Sequence, residues 1–347
     1  MRKMATIRKI SSISPIENAD AIECATVDGW KVVVKKGDFK VGDLAVYCEI
    51  DSWIPNSIAP FLSKGREPRE YNEVIGERLR TMKLRGQLSQ GLLLPVVPTD
   101  DQYCMVKSVD GGYSEAMEGD DVSAVLGVKK WEMEIPTQLA GLVKGNFPTV
   151  IPKTDQERVQ NIVNEIVQAS GKVFEVTEKL EGSSMTCYLL DGEFGVCSRN
   201  LDMKRDEKNS LWVTAIRENI EEKIKSTGKN NLAIQGELVG PGIQGNIYKF
   251  SRLEFFIFDI YDADKGRYLT PIERQDLVSQ MGLKHVPIVE ENFELNCDVE
   301  SLINKADGNS LVGNKGKTLR EGLVFKEVNG EMSFKAISNK YLLGQSN

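Results

Sequence analysis

The segment Glu254–Tyr261, Glu-Phe-Phe-Ile-Phe-Asp-Ile-Tyr, constrains the fold of this chain more than any other. Its side chains are almost all apolar and do not alternate with polar ones, which is typical of a strand buried on both faces. Asp259 interrupts the run, and a carboxylate in such a place needs a partner or a metal ion. We therefore expect a strand buried on both faces in the second half of the chain, with a partner or a metal ion for Asp259.

Turn and cap signals around this strand predict an alternation of strands with a few helices. Asp191-Gly192 is a hairpin signal between two alternating runs. Thr154-Asp155-Gln156-Glu157 is a capping box, which predicts a helix that ends at Gly171 and carries Arg158 in its first turn. A second capped helix is predicted to begin at Thr270-Pro271.

The last predicted hairpin places two lysines close together. Its strands are joined by Asn329-Gly330, a two-residue turn signal. If this turn fixes the register, Val324 lies opposite Lys335, and Lys326 lies opposite Ser333 on the same face. Two neighbouring cations are destabilising unless an anion lies between them, and a phosphate is the natural candidate. The alternative is an edge hairpin with solvated lysines.

Residues 1–130 show a different pattern, in which short alternating runs are separated by turn signals such as Asp28-Gly29. Five or six short strands of this kind predict a small β-barrel, and an OB-like barrel fits best. Residues 98–127 are acidic and irregular, and we interpret them as a loop region or an insertion. Four aromatic residues could stack on bases or form the barrel core: Trp30, Tyr47, Trp53 and Tyr71.

Three prolines, Pro136, Pro148 and Pro152, predict a linker over residues 131–153. A second domain then occupies residues 154–347, which agrees with a length of 347 residues. The expected fold class is α+β, with an N-terminal OB-like β-barrel and a C-terminal mixed α/β domain that contains antiparallel sheets.

Composition narrows the classes of function. One histidine, His285, argues against His-based metal sites and against a Ser-His-Asp triad. Six scattered cysteines are interpreted as reduced thiols. No apolar run is long enough to span a membrane and no signal peptide is recognisable, so an intracellular, cytoplasmic protein is expected.

A net charge of −7 does not indicate a nucleic-acid-binding protein, so any such contact must come from a local patch. The best candidate is a basic run without an intervening acid, and a solvated face is the equal alternative. The run consists of Arg78, Arg80, Lys83 and Arg85.

Lys179 is the candidate nucleophile, because it ends a predicted strand just before the turn at Gly182. An amine attacks phosphorus only when it is deprotonated, so neighbouring cations or a metal ion would have to lower its pKa. The pattern Lys-x-Glu-Gly is weak by itself, and a solvated lysine before a turn is the alternative.

The order of six short segments resembles the nucleotidyltransferase motifs of ATP-dependent RNA ligases. The segments are Lys179-Leu-Glu-Gly, Ser198-Arg-Asn, Gly236-Glu-Leu-Val-Gly, Phe255-Phe-Ile-Phe-Asp-Ile, Glu321-Gly-Leu-Val-Phe-Lys and Ser333-Phe-Lys-Ala-Ile. The N-terminal half is similar to a subgroup of these ligases that carries an OB domain before the nucleotidyltransferase domain. Its segments are Lys35-Lys36-Gly37-Asp38-Phe39, Val41-Gly42-Asp43 and Thr154–Asn161.

The resemblance implies roles for individual residues. Lys179 would attack the α-phosphorus of ATP and form lysyl-AMP. Glu181 and Ser184 would support the nucleotide, Arg199 would lie near the ribose and the RNA end, and Glu237 would contact the ribose or a metal-bound water.

The same resemblance implies a site for the base, the metal and the phosphates. Phe255 would stack on adenine, with Val324 on the opposite face of the ring. Glu321 and Glu237 would bind Mg²⁺ or Mn²⁺ through water, which needs no histidine. Phosphate contacts would come from Lys326, Lys335 and Arg158.

The chain departs from the family pattern at two positions. Ile337 stands where phage-type relatives often have a second lysine, so one phosphate contact is missing or comes from Lys340 or Arg158. Glu181 stands where many relatives have His or Asp.

The expected function is an ATP-dependent RNA ligase that seals 3′-OH and 5′-phosphate RNA ends in RNA repair. It would act as a monomer at a nick in a duplex. One alternative is another covalent nucleotidyltransferase, a DNA ligase or a capping enzyme, although these place the OB domain after the nucleotidyltransferase domain. The other alternative is a non-catalytic OB-fold nucleic-acid-binding protein.

Overall fold

A computed structural model of the protein describes residues 3–99, 102–131, 141–313 and 317–345. The chain divides into two compact units, one formed by residues 1–134 with 343–347 and the other by residues 135–342. No helix within the described ranges is both long enough and apolar enough to cross a membrane. Pro136 of the predicted linker lies outside the described residues.

The first unit is built from short strands, as the sequence predicts. They are β1 (Ala5–Lys9), β2 (Ser12–Pro15), β3 (Ile22–Val27), β4 (Trp30–Lys35), β5 (Leu44–Cys48), β6 (Ser52–Pro55), β7 (Arg69–Tyr71), β8 (Val74–Arg78), β9 (Met82–Leu84), β10 (Gln87–Ser89), β11 (Leu92–Pro95), β12 (Val97–Pro98), β13 (Tyr103–Lys107), β14 (Tyr113–Met117) and β15 (Lys129–Lys130). They form small sheets in the orders β1-β5-β11, β2-β3-β4, β10-β9, β12-β13-β14 and β15-β6-β8-β7.

The candidate base-stacking aromatics of this unit belong to its interior. Trp30 and Tyr47 are buried, and their rings stack with centroids 5.6 Å apart. Trp53 and Tyr71 are also buried, with ring centroids 5.3 Å apart. These rings therefore stabilise the core and do not form an exposed surface for bases.

The interpretation of residues 98–127 as a loop region or an insertion is wrong for much of that segment. β13 and β14 pair as an antiparallel hairpin. Cys104, Val106 and Ala116 are buried and join the core that contains Ile7. The many acidic residues between them obscure the alternation in the sequence.

The second unit contains longer strands and the α-helices. Its strands are β16 (Val143–Asn146), β17 (Glu157–Arg158), β18 (Val173–Lys179), β19 (Ser183–Leu190), β20 (Glu193–Cys197), β21 (Leu201–Met203), β22 (Leu232–Val239), β23 (Glu254–Asp262), β24 (Arg267–Tyr268), β25 (Lys284–His285), β26 (Ile288–Glu294), β27 (Gly322–Glu327) and β28 (Ser333–Ile337). The helices are α1 (Val163–Gln168), α2 (Ser210–Arg217), α3 (Ile220–Ser226), α4 (Pro271–Gln280), α5 (Val299–Ala306) and α6 (Asn339–Gln345), of which α6 begins in this unit and has its residues from 343 onward in the first.

These strands form two sheets that are largely antiparallel. The larger sheet has the order β16-β21-β20-β19-β22-β23-β24, and β25 also pairs with β23. The smaller sheet has the order β17-β28-β27-β18-β26. Apolar residues of β19, β22 and β23 pack with α2, α3 and α4, whereas β18, β27 and β28 pack with α5.

The predicted helix that opens with the capping box at Thr154 is wrong at its N-terminal end. Glu157 and Arg158 form β17, which pairs in parallel with β28, and a 3₁₀ turn follows at Val159–Asn161. The α-helix begins only at Val163, and its N-cap has no side-chain hydrogen bond. Pairing with β28 outweighs the local capping signal.

Other local predictions are confirmed. Asp191 and Gly192 both have positive φ, as the predicted tight hairpin requires, and Leu190 lies opposite Glu193. Thr270 accepts a hydrogen bond from the amide of Glu273 in a complete capping box at the start of α4.

The predicted linker contributes to the second unit in part. Val143–Asn146 forms β16 and pairs with β21. The exact domain boundaries stay a prediction.

Candidate active site

Lys179 is placed by the pairing of β18 with β27. The two strands are antiparallel, and Lys179 lies opposite Gly322, so Glu321 is its neighbour. The Nζ atom of Lys179 lies 2.6 Å from Oε1 of Glu321. Alternate residues of β18, Phe174 and Val176, enter the apolar core, which leaves Lys179 on the opposite face.

That face borders a cavity of about 520 Å³, which we call the central cavity. Its walls come from both sheets of the second unit, with β19, β22 and β23 on one side and β18, β27 and β28 on the other. Nine of the predicted site residues line it: Lys179, Glu181, Ser184, Arg199, Glu237, Glu321, Val324, Lys326 and Lys335. The fold therefore gathers residues that are up to 156 positions apart in the sequence, from Lys179 to Lys335.

Carboxylates surround Lys179. Glu237 on β22 lies opposite Ser184 on β19. Burial raises the pKa of Glu237 to about 7, although the positive charge of Lys179 opposes this shift. Burial also raises the pKa of Glu181, and a hydrogen bond from the hydroxyl of Tyr341 opposes that rise. In their ionised form these carboxylates place negative charge in the cavity wall around Lys179.

The donor set fits a divalent cation that keeps part of its water shell. Within the described residues, no three His, Cys, Asp or Glu side chains lie close enough to hold a metal by themselves. Oε2 of Glu181 is buried and has no hydrogen-bond partner among the residues that the structure describes. Mg²⁺ and Mn²⁺ prefer oxygen ligands, and Mg²⁺ usually retains several waters. Glu181, Glu237 and Glu321 line the cavity and supply oxygen atoms of the kind that these ions bind.

The hairpin register that the sequence predicts is confirmed. Val324 lies opposite Lys335, and Lys326 lies opposite Ser333. Lys326 is buried, and its Nζ lies 2.7 Å from Oδ2 of Asp259. Asp259 thus has the cationic partner that its place in an apolar strand requires.

The prediction that Phe255 stacks on adenine does not agree with its position. Phe255 is 4% exposed and packs in the apolar core, and it is not part of the cavity wall. A β-bulge lies between Gln235 and Gly236, which pair with Asp259 and Ile257, so Phe258 is the extra residue. The bulge leaves Phe258 on the cavity wall instead. A local register shift of this kind leaves no signal in the sequence.

Of the two predicted arginines, Arg199 lines the central cavity and Arg158 does not. Arg158 lies beside Lys335 in the register of β17 and β28, and it is outside the lining of the central cavity. The guanidinium of Arg199 forms an exposed ion pair with Asp155 at 2.9 Å. Exposed pairs of this kind add little stability, so Arg199 can exchange this partner at small cost.

Besides Phe258, sequence reasoning missed two tyrosines at the site. Tyr341 on α6 lines the cavity and bonds to Glu181, and the hydroxyl of Tyr248 accepts a hydrogen bond from the amide of Glu181 at 2.6 Å. Neither tyrosine belongs to one of the six ordered motifs, so no signal in the sequence points to them.

Comparison with known proteins decides the family. A family model described as RNA ligase matches residues 172–341, and one described as an OB-fold domain matches residues 4–96. A structure of a Naegleria gruberi RNA ligase mutant with AMP and Mn is 48% identical, with a TM-score of 0.84 and 100% of both chains covered. The chain belongs to the RNA ligase family.

Two further structures of the Naegleria gruberi RNA ligase are similar to the whole chain. A mutant with ATP and Mn is 47% identical, with a TM-score of 0.83 and with 99% of this chain and 100% of that chain covered. A structure with PPi is 49% identical, with a TM-score of 0.82 and with 99% of this chain and 98% of that chain covered. Curated protein sequences gave no match. The predicted OB fold and the predicted enzyme class, an RNA ligase, are thereby confirmed.

Replacement of Lys179 by Met in this RNA ligase should raise the pKa of Glu237 above its value of about 7, because the charge of Lys179 favours the carboxylate. We expect a rise of about one unit. An NMR titration of ¹³C-labelled glutamate side chains measures it. Lys223→Met on α3, outside the central cavity, is the control and should leave the titration unchanged. An unchanged midpoint in the Lys179 variant would contradict the assigned coupling.

Proposed function

We propose that this RNA ligase uses ATP to seal 3′-OH and 5′-phosphate RNA ends through a covalent lysyl-AMP. The observation that carries the proposal is the position of Lys179, which lies 2.6 Å from Glu321 in a cavity that also contains Glu237, Lys326 and Lys335. Related structures that contain ATP and Mn, AMP and Mn, or PPi support it.

The reaction has three transfer steps. The neutral amine of Lys179 attacks the α-phosphorus of ATP, an N–P bond forms, and pyrophosphate leaves. The 5′-phosphate of an RNA end then attacks the same phosphorus, which releases Lys179 and gives an A(5′)pp(5′)RNA end. Finally, the 3′-OH of the second end attacks the RNA 5′-phosphorus, and AMP leaves.

In this reaction the acidic and the basic residues of the cavity would have different roles. Glu237 and Glu321 would hold Mg²⁺ or Mn²⁺ through water, and the bound ion would offset negative charge at the α-phosphate. Lys326 and Lys335 would contact the phosphates of ATP, because phosphoryl-type transfer depends mainly on positioning and charge stabilisation. Arg199 would lie near the ribose and the RNA end.

Arg158 is the better candidate for the additional phosphate contact. Ile337, at the place of the second lysine, is buried, and Lys340 is exposed and lies 3.6 Å from a carboxylate oxygen of Asp307. Arg158, in contrast, lies beside Lys335.

The first unit would bind the RNA strand near the break. Arg80, Lys83 and Arg85 are exposed, as backbone-contacting cations need to be. Arg78 fits this role less well, because it pairs with Asp51 at 2.6 Å and stacks over Trp131 at 3.7 Å. A nicked duplex as the preferred substrate and a monomeric state stay predictions.

Lys179→Ala should abolish ATP-dependent sealing of RNA with a 5′-phosphate. It should retain sealing of RNA that already carries an A(5′)pp(5′) end, because the last step does not use the lysine as a nucleophile. Gel assays with both substrates measure these activities. The matched control is Lys223→Ala, which should support both reactions. ATP-dependent sealing by Lys179→Ala would contradict the assignment of Lys179 as the nucleophile.

In the proposed function Phe258, which lines the cavity, stacks on adenine in place of Phe255. Phe258→Ala should therefore weaken ATP binding by about 1–3 kcal/mol, because this aromatic contact is lost. Phe255→Ala should instead lower the free energy of unfolding by about 3–5 kcal/mol, because it leaves a gap in the core. Equilibrium binding of ATP and thermal unfolding separate the two effects. A loss of ATP affinity in the Phe255 variant alone would restore Phe255 as the adenine contact.

A further inference from the structure

Four buried side chains of alternating charge extend from the wall of the central cavity into the protein. Lys326 Nζ lies 2.7 Å from Asp259 Oδ2, and Asp259 Oδ1 lies 3.9 Å from Arg274 Nη1. Arg274 Nη2 donates a hydrogen bond to Glu175. We call these four residues the buried ion network.

The buried ion network joins elements that are distant in the sequence. Glu175 lies directly opposite Lys326 on the β18–β27 ladder, Asp259 comes from β23 of the other sheet, and Arg274 comes from α4. The exposed fractions of the Glu175, Arg274, Asp259 and Lys326 side chains are 1%, 1%, 8% and 10%. Of the four, only Lys326 lines the central cavity.

Stability alone gives no reason for such an arrangement. Burial of several ions is costly, and replacing buried ion pairs by apolar residues is often neutral or stabilising. The arrangement does restrain Lys326, because an ammonium has three N–H donors and two partners hold it here. These partners are the carboxylate of Asp259 and the carbonyl oxygen of Phe258, which also lines the cavity.

We propose that Asp259, Arg274 and Glu175 are positioning residues, which together fix the place and the charge of the Lys326 ammonium at the phosphate-binding wall of the cavity. This proposal rests on the proposed function, in which Lys326 contacts the phosphates of ATP. The three residues would act on the reaction only through Lys326.

The charged groups around Lys326 shift its pKa in opposite directions. Burial lowers the pKa of Lys326 to about 8, Asp259 and Glu175 oppose this shift, and Arg274 adds to it. His285 accepts a hydrogen bond from Arg274 at 2.9 Å, and burial lowers the pKa of His285 to about 4, so it stays neutral. Lys335, diagonal to Lys326 on β28, and Lys179, further along β18, are further cations on this face.

These charges set the direction in which each substitution should shift the pKa of Lys326. Asp259→Asn or Glu175→Gln removes a negative charge, so the ammonium should lose its proton at lower pH. Arg274→Gln removes a positive charge, so the ammonium should keep its proton to higher pH. Because protonated Lys326 binds phosphate, the alkaline fall in the rate of lysyl-AMP formation should move in the same directions. If the three residues had only a structural role, each variant would be less stable or less active, but the alkaline midpoints would not move in opposite directions.

The experiment measures the second-order rate constant of lysyl-AMP formation against pH, since this constant reports the free enzyme. Full-length protein is mixed with α-labelled ATP and Mn²⁺. We expect the alkaline midpoint to fall by about one pH unit in Asp259→Asn and to rise by about one unit in Arg274→Gln. Arg267→Gln is the matched control, because it removes an ion pair with Glu273 at the surface, and it should not move the midpoint.

The outcomes separate the two proposals. If the wild-type protein forms no lysyl-AMP, the proposed function fails. If it forms lysyl-AMP but the midpoint is unchanged in both variants, the function stands and the positioning role is overturned. If Arg274→Gln does not fold, the near-isosteric variants Asp259→Asn and Glu175→Gln decide, and both must lower the midpoint.

Discussion

The antiparallel pairing of β18 with β27 is the constraint on which the site depends. It brings Lys179 beside Glu321 at one end of the ladder and sets Glu175 opposite Lys326 further along. A slip of one residue would turn these side chains to the opposite face. Gly322 is required here, because a Cβ atom would lie 2.3 Å from the carbonyl oxygen of Ala336 on β28.

The second sheet completes the site by supplying groups of its own. Glu237 comes from β22, and the bulge in β23 exposes Phe258 to the cavity while Asp259 binds Lys326. The cavity therefore has carboxylates near Lys179, the buried cation Lys326 further along the same ladder, and Lys335 on the neighbouring strand. This separation of charge suits a substrate with an anionic phosphate chain and a bound divalent cation.

The sequence could predict those features that depend on local chemistry. The Asn329-Gly330 turn predicted the register that places Val324 opposite Lys335, and the apolar run around Asp259 predicted a buried charge with a partner. The ordered motifs predicted nine of the residues that line the cavity. The capping box at Thr270 predicted the start of α4.

What the sequence could not predict depends on contacts between distant elements. The capping box at Thr154 has the same local chemistry as that at Thr270, but pairing of Arg158 with Lys335 makes a strand there. The β-bulge exchanges Phe255 for Phe258 at the cavity, and nothing in an apolar run reveals which residue is the extra one. The link from Lys326 to Arg274 requires α4 to place Arg274 within reach of Asp259 on one sheet and Glu175 on the other.

The role of Lys179 as nucleophile is tested most directly by the mass of the wild-type protein after incubation with ATP and Mg²⁺ or Mn²⁺, followed by mapping of peptides. The peptide that contains Lys179 should gain the mass of one AMP. No adduct with either metal, in protein shown beforehand to carry no AMP, would contradict it, and so would an adduct on a different lysine.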